Sequence, residues 1–191
     1  MAGADSCTLF GEDHRRDMNI EQKNFDNPTG LLRPATEQEL PKIMALERIP
    51  AFHTLVGTWP EQEHRRAMQD PDLQYLIVTD ATDNAAGFAI LRGLNSPHRS
   101  IELKRFVIAA PGNGLGLRAL RAIMDHVFGT LQAHRLWLDV FETNARALHV
   151  YRKGGFQQEG ILREAICRDG DFHTLLLLSI LEREYLSQRT L

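Results

Sequence analysis

The chain has 191 residues, 43% of them hydrophobic and 25% charged, with a formal net charge of -3. That is the composition of one ordinary globular domain large enough to bury a core, and its dispersed Lys and Arg residues form no basic block, so nucleic acid is not expected as a partner. The two cysteines, Cys7 and Cys167, match no C-x-x-C spacing, and the longest apolar run, Leu175 to Leu178, falls far short of the roughly 20 residues of a membrane span, so a cytoplasmic protein without disulfides or a membrane partner is expected.

Residues 1–30 are polar, lack a sustained period and end in the breaker cluster Asn27-Pro28-Thr29-Gly30. They are expected to form a flexible tail, leaving 31–191 as the domain. "LLRPAT" predicts a short edge strand, and Thr36 with Glu39 three residues on predicts a capping box for a helix to about Arg48. A second short helix follows Trp59-Pro60 and stops before Pro71, and "LQYLIVTD", "AAGFAILRGL" and "IELKRFVIAA" predict three largely buried strands. Apolar residues at Leu117, Leu120, Ile123, Met124, Val127 and Phe128 recur at helical spacing from Leu115 to Phe128. "RLWLDVF" predicts another strand, Asn144 caps "ARALHVYRK", and the remainder predicts a hairpin turning at Asp169-Gly170. This order of elements predicts an α/β or α+β sheet with helices on its faces.

The segment "PGNGLGLRAL", Pro111 to Leu120, places three glycines at the junction of a strand and a helix. A helix N-terminus offers unpaired N–H groups and the positive end of the macrodipole, and glycines let an anion approach them closely. Leu117-Arg118 stand where a P-loop needs Lys and Ser or Thr, and the Rossmann spacing would put its third glycine at Leu117, so neither fingerprint fits. By themselves the glycines are equally explained by a tight strand-to-helix turn.

Taken with their neighbours, these residues resemble the GNAT superfamily of acetyl-CoA-dependent N-acetyltransferases. "PGNGLG" is similar to that family's [Gln/Arg]-x-x-Gly-x-[Gly/Ala] pyrophosphate loop, with Pro111 in place of the usual Gln or Arg, and Asn144, Ala147, Tyr151, Gly155 and Phe156 match a second spaced motif. The likeness covers about residues 31–186, and within the superfamily it points to the branch that includes the ribosomal-protein N-terminal acetyltransferases. The resemblance implies a mixed, mostly antiparallel sheet flanked by helices and splayed between "IELKRFVI" and "RLWLDVF" to hold acetyl-CoA. It implies that the pyrophosphate lies on the loop of Gly112, Asn113, Gly114, Leu115, Gly116 and Leu117, and that pantetheine runs along Phe106, Val107 and Ile108, pairing with the backbone of Phe106 and Ile108. Asn144 is expected to bond the pantetheine amide, to cap its helix, or both.

Acetyl transfer needs an unprotonated amine, a stabilised oxyanion and a proton for the departing thiolate. By resemblance, Tyr151 is the general acid and Glu102 the general base, although Glu102 reads equally as a salt-bridged strand residue. Asp139 and Glu142 are candidates to attract a cationic amine, and Arg118 and Arg121 either meet the 3'-phosphate or form a solvated helix face. No histidine cluster has metal-ligand spacing, and Cys167 has no neighbouring base to make it a nucleophile, so no metal and no acetyl-enzyme are expected. The expected activity is direct transfer in a ternary complex to a primary amine, either a small molecule or a protein N-terminus, by a monomer or homodimer, with the acceptor pocket built from the variable segment of about Ile49 to Asp70 and from the final hairpin. The alternative is a non-catalytic acyl-CoA-binding sensor on the same fold.

Overall fold

Alternating side chains in the first half of the chain feed two separate cores. The computed structural model describes residues 30–52, 54–109 and 112–189. The expected tail before Gly30, Cys7 and the Pro111 departure lie outside the described residues. Strands β1 (Leu32–Pro34), β2 (Leu73–Thr79), β3 (Ala85–Arg92) and β4 (Ser100–Ile108) pair antiparallel in chain order. Pro34 can donate nothing to a ladder and stands on the edge strand, where that costs least. Along β2, Tyr75 and Ile77 enter one hydrophobic cluster while Leu76 and Val78 enter the other, and Phe88 and Ile90 alternate in the same way with Ala89 and Leu91 on β3. Because both faces are covered, these strands read as continuous apolar runs.

Helices α1 (Leu40–Glu47) and α2 (Glu61–Gln69) cover one face. Helices α3 (Leu115–Asp125), α4 (Ala145–Lys153) and α5 (Glu182–Arg189) cover the other. The Thr36 N–H donates to Glu39 Oε2 at 3.0 Å, as the capping-box spacing predicts, at a short 3-10 turn that leads into α1. Helix α3 ends earlier than its apolar spacing predicts, passing at His126–Thr130 into a π-helical turn in which the Leu131 N–H reaches His126 O at 2.9 Å. Val127 and Phe128 stay buried, so the extra residue per turn changes the hydrogen bonds without exposing the apolar face. Helix α5 has no counterpart among the expected elements. Tyr185 is its buried residue, and it stacks on Phe128 at 4.8 Å.

Strands β5 (Arg135–Phe141), β6 (Gln157–Arg168) and β7 (Asp171–Leu181) complete a seven-stranded sheet of order β1-β2-β3-β4-β5-β7-β6. The β6–β7 hairpin turns at Asp169 (φ 52) and Gly170 (φ 91), two left-handed residues of the kind a tight hairpin needs. β4 and β5 pair in parallel through three positions, Ser100 with Arg135 to Glu102 with Trp137. β5 instead pairs with β7 over its whole length, from Arg135 with Leu181 to Phe141 with Leu175. Beyond Glu102 and Trp137 the parallel ladder stops, and the two central strands open into a V. This is the mixed, mostly antiparallel splayed sheet flanked by helices that the resemblance implies.

Candidate active site

A cavity of about 280 Å³ lies along the β4 arm of the V, between it and α4. Phe106, Val107 and Ile108 of β4 form one side, Gly112, Gly114, Gly116 and Leu117 its end, and Asn144, Ala147, Val150 and Tyr151 of α4 the opposite side. Thus Phe106, Val107, Ile108, Gly112, Gly114, Gly116, Leu117, Asn144 and Tyr151, which the sequence resemblance singles out, converge on one space. Asn113, Leu115 and Glu102 do not line it.

Each loop residue has a local reason for its place. Gly112 (φ +113) and Gly114 (φ +74) adopt left-handed conformations, and a Cβ built on either would meet no protein atom within 4 Å. The turn therefore needs glycine for its dihedrals and keeps its outer side open to a ligand. The Asn113 side-chain oxygen accepts the Leu115 N–H at 3.0 Å. That N–H is held internally, while the Leu115 side chain is buried in the core, so the anchoring role falls on Asn113 and Leu115 and the open side on the glycines. Asn144 Oδ1 accepts the Ala147 N–H at 3.1 Å, capping α4 while also lining the cavity.

Tyr151 reaches the cavity from within the core, only 7% exposed and tilted against Phe156 at 5.7 Å. Burial raises the pKa of its phenol, and the charge of Asp139 adds to the effect, so the hydroxyl keeps its proton throughout the neutral range. A group that stays protonated until a strong base forms beside it suits a proton donor to a thiolate. Glu102 is 3% exposed, with its carboxylate flanked by Arg92 and by Lys104, whose Nζ stands at 3.5 Å.

On the other face of β4 lies a buried polar network that sequence reasoning does not anticipate. Glu47 accepts from Arg105 through Oε1, and its Oε2 meets His64 Nε2 at 3.1 Å and the Trp59 N–H at 3.3 Å. His64 Nδ1 meets the Tyr75 hydroxyl at 3.1 Å, and the Arg105 guanidinium lies over the Trp59 ring at 4.1 Å. Burial lowers the Arg105 pKa, an effect that the Glu47 charge opposes. The network joins α1, α2 and the strand that forms one wall of the cleft.

Phe52, Leu55 and Val56 close the cavity from the α1–α2 connection, within the segment of about Ile49 to Asp70 from which an acceptor pocket is expected, whereas sequence reasoning missed Arg146, His149 and Lys153 on α4. The second group had a readable signal, because residues three and four apart share a helix face with Asn144, Ala147 and Tyr151 close by. Arg118 and Arg121 are exposed and do not line the cavity, in keeping with a solvated helix face. Among the described residues no group of three or more His, Cys, Asp or Glu side chains could hold a metal ion, and no helix is long and apolar enough to cross a membrane.

Comparison with known proteins agrees with this geometry. Residues 31–157 match the family model described as an acetyltransferase (GNAT) domain. The chain is 27% identical over 169 residues to the spermidine N(1)-acetyltransferase of Escherichia coli (strain K12), covering 82% of this chain and 88% of that protein. It is 30% identical over 131 residues to the spermidine N(1)-acetyltransferase of Vibrio cholerae, covering 67% of this chain and 75% of that protein. The crystal structure of spermidine N-acetyltransferase from Vibrio cholerae in complex with CoA and spermine superposes with a TM-score of 0.72 at 27% identity, over 81% of this chain and 96% of that one. The narrower likeness to ribosomal-protein N-terminal acetyltransferases does not carry over, since these relatives are spermidine acetyltransferases. The motifs behind that likeness line the cavity and the loop, which any acceptor class would share, so they could not have told the branches apart. The chain belongs to the GNAT family of acetyltransferases and is an acetyl-CoA-dependent N-acetyltransferase.

Proposed function

We propose that this protein transfers the acetyl group of acetyl-CoA directly to the primary amine of a small molecule within a ternary complex. The observation that carries the reading is a cavity lined from the open glycine turn, past Asn144, to the buried Tyr151. In this reading the pyrophosphate lies on the Gly116 and Leu117 N–H groups in the first turn of α3, with Arg146 and Lys153 near enough to the cavity to balance phosphate charge. Pantetheine follows the β4 edge left open beyond Glu102. The amine nitrogen attacks the thioester carbonyl, the C–S bond breaks, the sulfur takes the Tyr151 proton, and the nitrogen gives up one proton to a base or to water.

Relatives named for spermidine support a small-molecule acceptor over a protein N-terminus. Spermidine and spermine therefore head the acceptor panel, followed by amino acids, amino acid amides and a short peptide, in an assay of thiol release from acetyl-CoA. Turnover with the peptide alone would overturn the small-molecule reading. Glu102 is tested as the base by Glu102→Gln. A loss of kcat/KM that shrinks as pH rises, because the free amine is then already deprotonated, supports a base, whereas a loss independent of pH assigns Glu102 to its ion pairs with Arg92 and Lys104.

A further inference from the structure

Charge is distributed unevenly around the cavity. Its lining includes Arg146, His149 and Lys153, all on α4, and among the described residues no Asp or Glu. The side supplied by the α1–α2 connection is hydrocarbon alone, from the side chains of Phe52, Leu55 and Val56. The Leu55 and Val56 N–H groups both donate to the Phe52 carbonyl oxygen, at 2.8 and 2.9 Å, and Phe52 is buried in one cluster with Leu40 and Ile43, so this wall is anchored in the core. A cation stands against it, the Arg146 guanidinium, 5.6 Å from the centre of the Phe52 ring. The carboxylates of Glu47, Glu63, Glu102, Asp139 and Glu142 all lie outside the lining.

We infer that the wall of Phe52, Leu55 and Val56 receives the body of the acceptor, and that the acceptor is a monoamine carrying an uncharged alkyl or aralkyl group. The inference rests on the acetyl-transfer reading above and deepens its acceptor class. In that reading the cofactor takes the β4 and α4 sides of the cavity, which leaves the side formed by the α1–α2 connection to the acceptor, in the same space as Tyr151. One positive charge is provided for at the reacting end, where the charge of Asp139 reaches the Tyr151 phenol. A second ammonium farther along the acceptor would give up its water against hydrocarbon, with Arg146 at like sign and no carboxylate in the lining to repay it. Methylene or ring carbons in that place gain by leaving water.

The test uses matched series of n-alkylamines, diamines and ω-amino carboxylates of increasing chain length, with spermidine included, assayed for thiol release at saturating acetyl-CoA. For the alkylamines kcat/KM is expected to rise about three- to fourfold per added methylene until the wall is covered. Each diamine or amino carboxylate should fall about tenfold or more below the alkylamine of its length, because its far charge is buried without a partner. Leu55→Ala should flatten the rise with chain length, and Leu55→Glu, which sets a carboxylate on the wall, should move the preference toward the diamines. Diamines, spermidine or amino carboxylates that match the alkylamines, or a rate indifferent to chain length, would overturn the wall's role and leave acetyl transfer standing. So would an unaltered preference in both Leu55 variants. If no amine releases thiol, the functional reading fails, and calorimetry on the CoA-loaded protein still decides the wall. Affinity that grows with alkyl length and drops in Leu55→Ala upholds it, and no binding of any alkylamine overturns it.

Discussion

Tyr151 and Gly114 show how single residues tie the fold to its chemistry. The Tyr151 phenol is buried, and burial raises its pKa, so in the proposed transfer it stands protonated and ready to donate. Tyr151→Phe keeps the ring against Phe156 and removes only the hydroxyl. It should lower kcat by about 10² to 10⁴-fold while acetyl-CoA affinity, followed by calorimetry, stays within error. An unchanged kcat with chemistry rate-limiting would return Tyr151 to a packing role. At Gly114 two effects can be separated, because Asn and Asp both tolerate its left-handed φ of +74 better than other side chains. Gly114→Asn should weaken acetyl-CoA binding by adding a side chain, and Gly114→Asp should weaken it much further by adding negative charge beside the pyrophosphate. Equal affinities for the two variants would place the pyrophosphate away from this turn.

Between elements, buried polar groups make connections that no helix or strand makes alone. Glu47 on α1 holds Arg105 of β4 and His64 of α2. Removing its carboxylate in Glu47→Ala leaves Arg105 without its buried counter-charge and should cost about 3 to 5 kcal/mol in urea unfolding, a loss that a neutral surface contact would not produce. In the π-helical turn after α3, His126 Nε2 meets Gln74 Oε1 on β2 at 2.7 Å, an arrangement that fits a neutral ring with its proton on Nε2. Burial lowers the His126 pKa from 6.5 to about 4. Between those values the unfolded chain binds a proton that the folded chain does not, so stability is greatest above pH 6.5 and falls as pH drops toward 4. The full loss from this one group is on the order of 3 kcal/mol. Unfolding free energies measured across that range should show the slope in the wild type and a shallower one in His126→Gln, whatever the variant's stability at neutral pH.

For the molecule as a whole, the decisive feature is that β4 and β5 pair through Glu102 and Trp137 and then part. Arg135 to Phe141 stay paired with β7 instead, so the arms of the cleft are held by different neighbours. Much of this frame was legible in the residues themselves. The Thr36–Glu39 box, the Asn144 cap, the Asp169-Gly170 turn and the glycine junction before α3 depend on contacts within a few residues, and local rules suffice to read them. Strand apolarity announced a sheet covered on both faces. The spaced motifs brought most of the residues around the cavity into view, because a strand-to-helix turn with left-handed dihedrals leaves glycines in the sequence. Local rules failed where the outcome depends on distant partners. Apolar periodicity could not foretell the π-helical turn, which keeps the same face buried, or α5, whose burial rests on one tyrosine stacked on Phe128. Glu102 and Glu47 look alike as acidic residues, and only the fold shows one flanked by Arg92 and Lys104 and the other joined to an arginine 58 residues away. Neighbours along the chain were enough to specify most of the elements and the glycine turn before α3. Which distant side chains meet depended on the packing of the whole chain, because Glu47, His64 and Arg105 share no local pattern and join only when two helices and a strand from different parts of the chain come together.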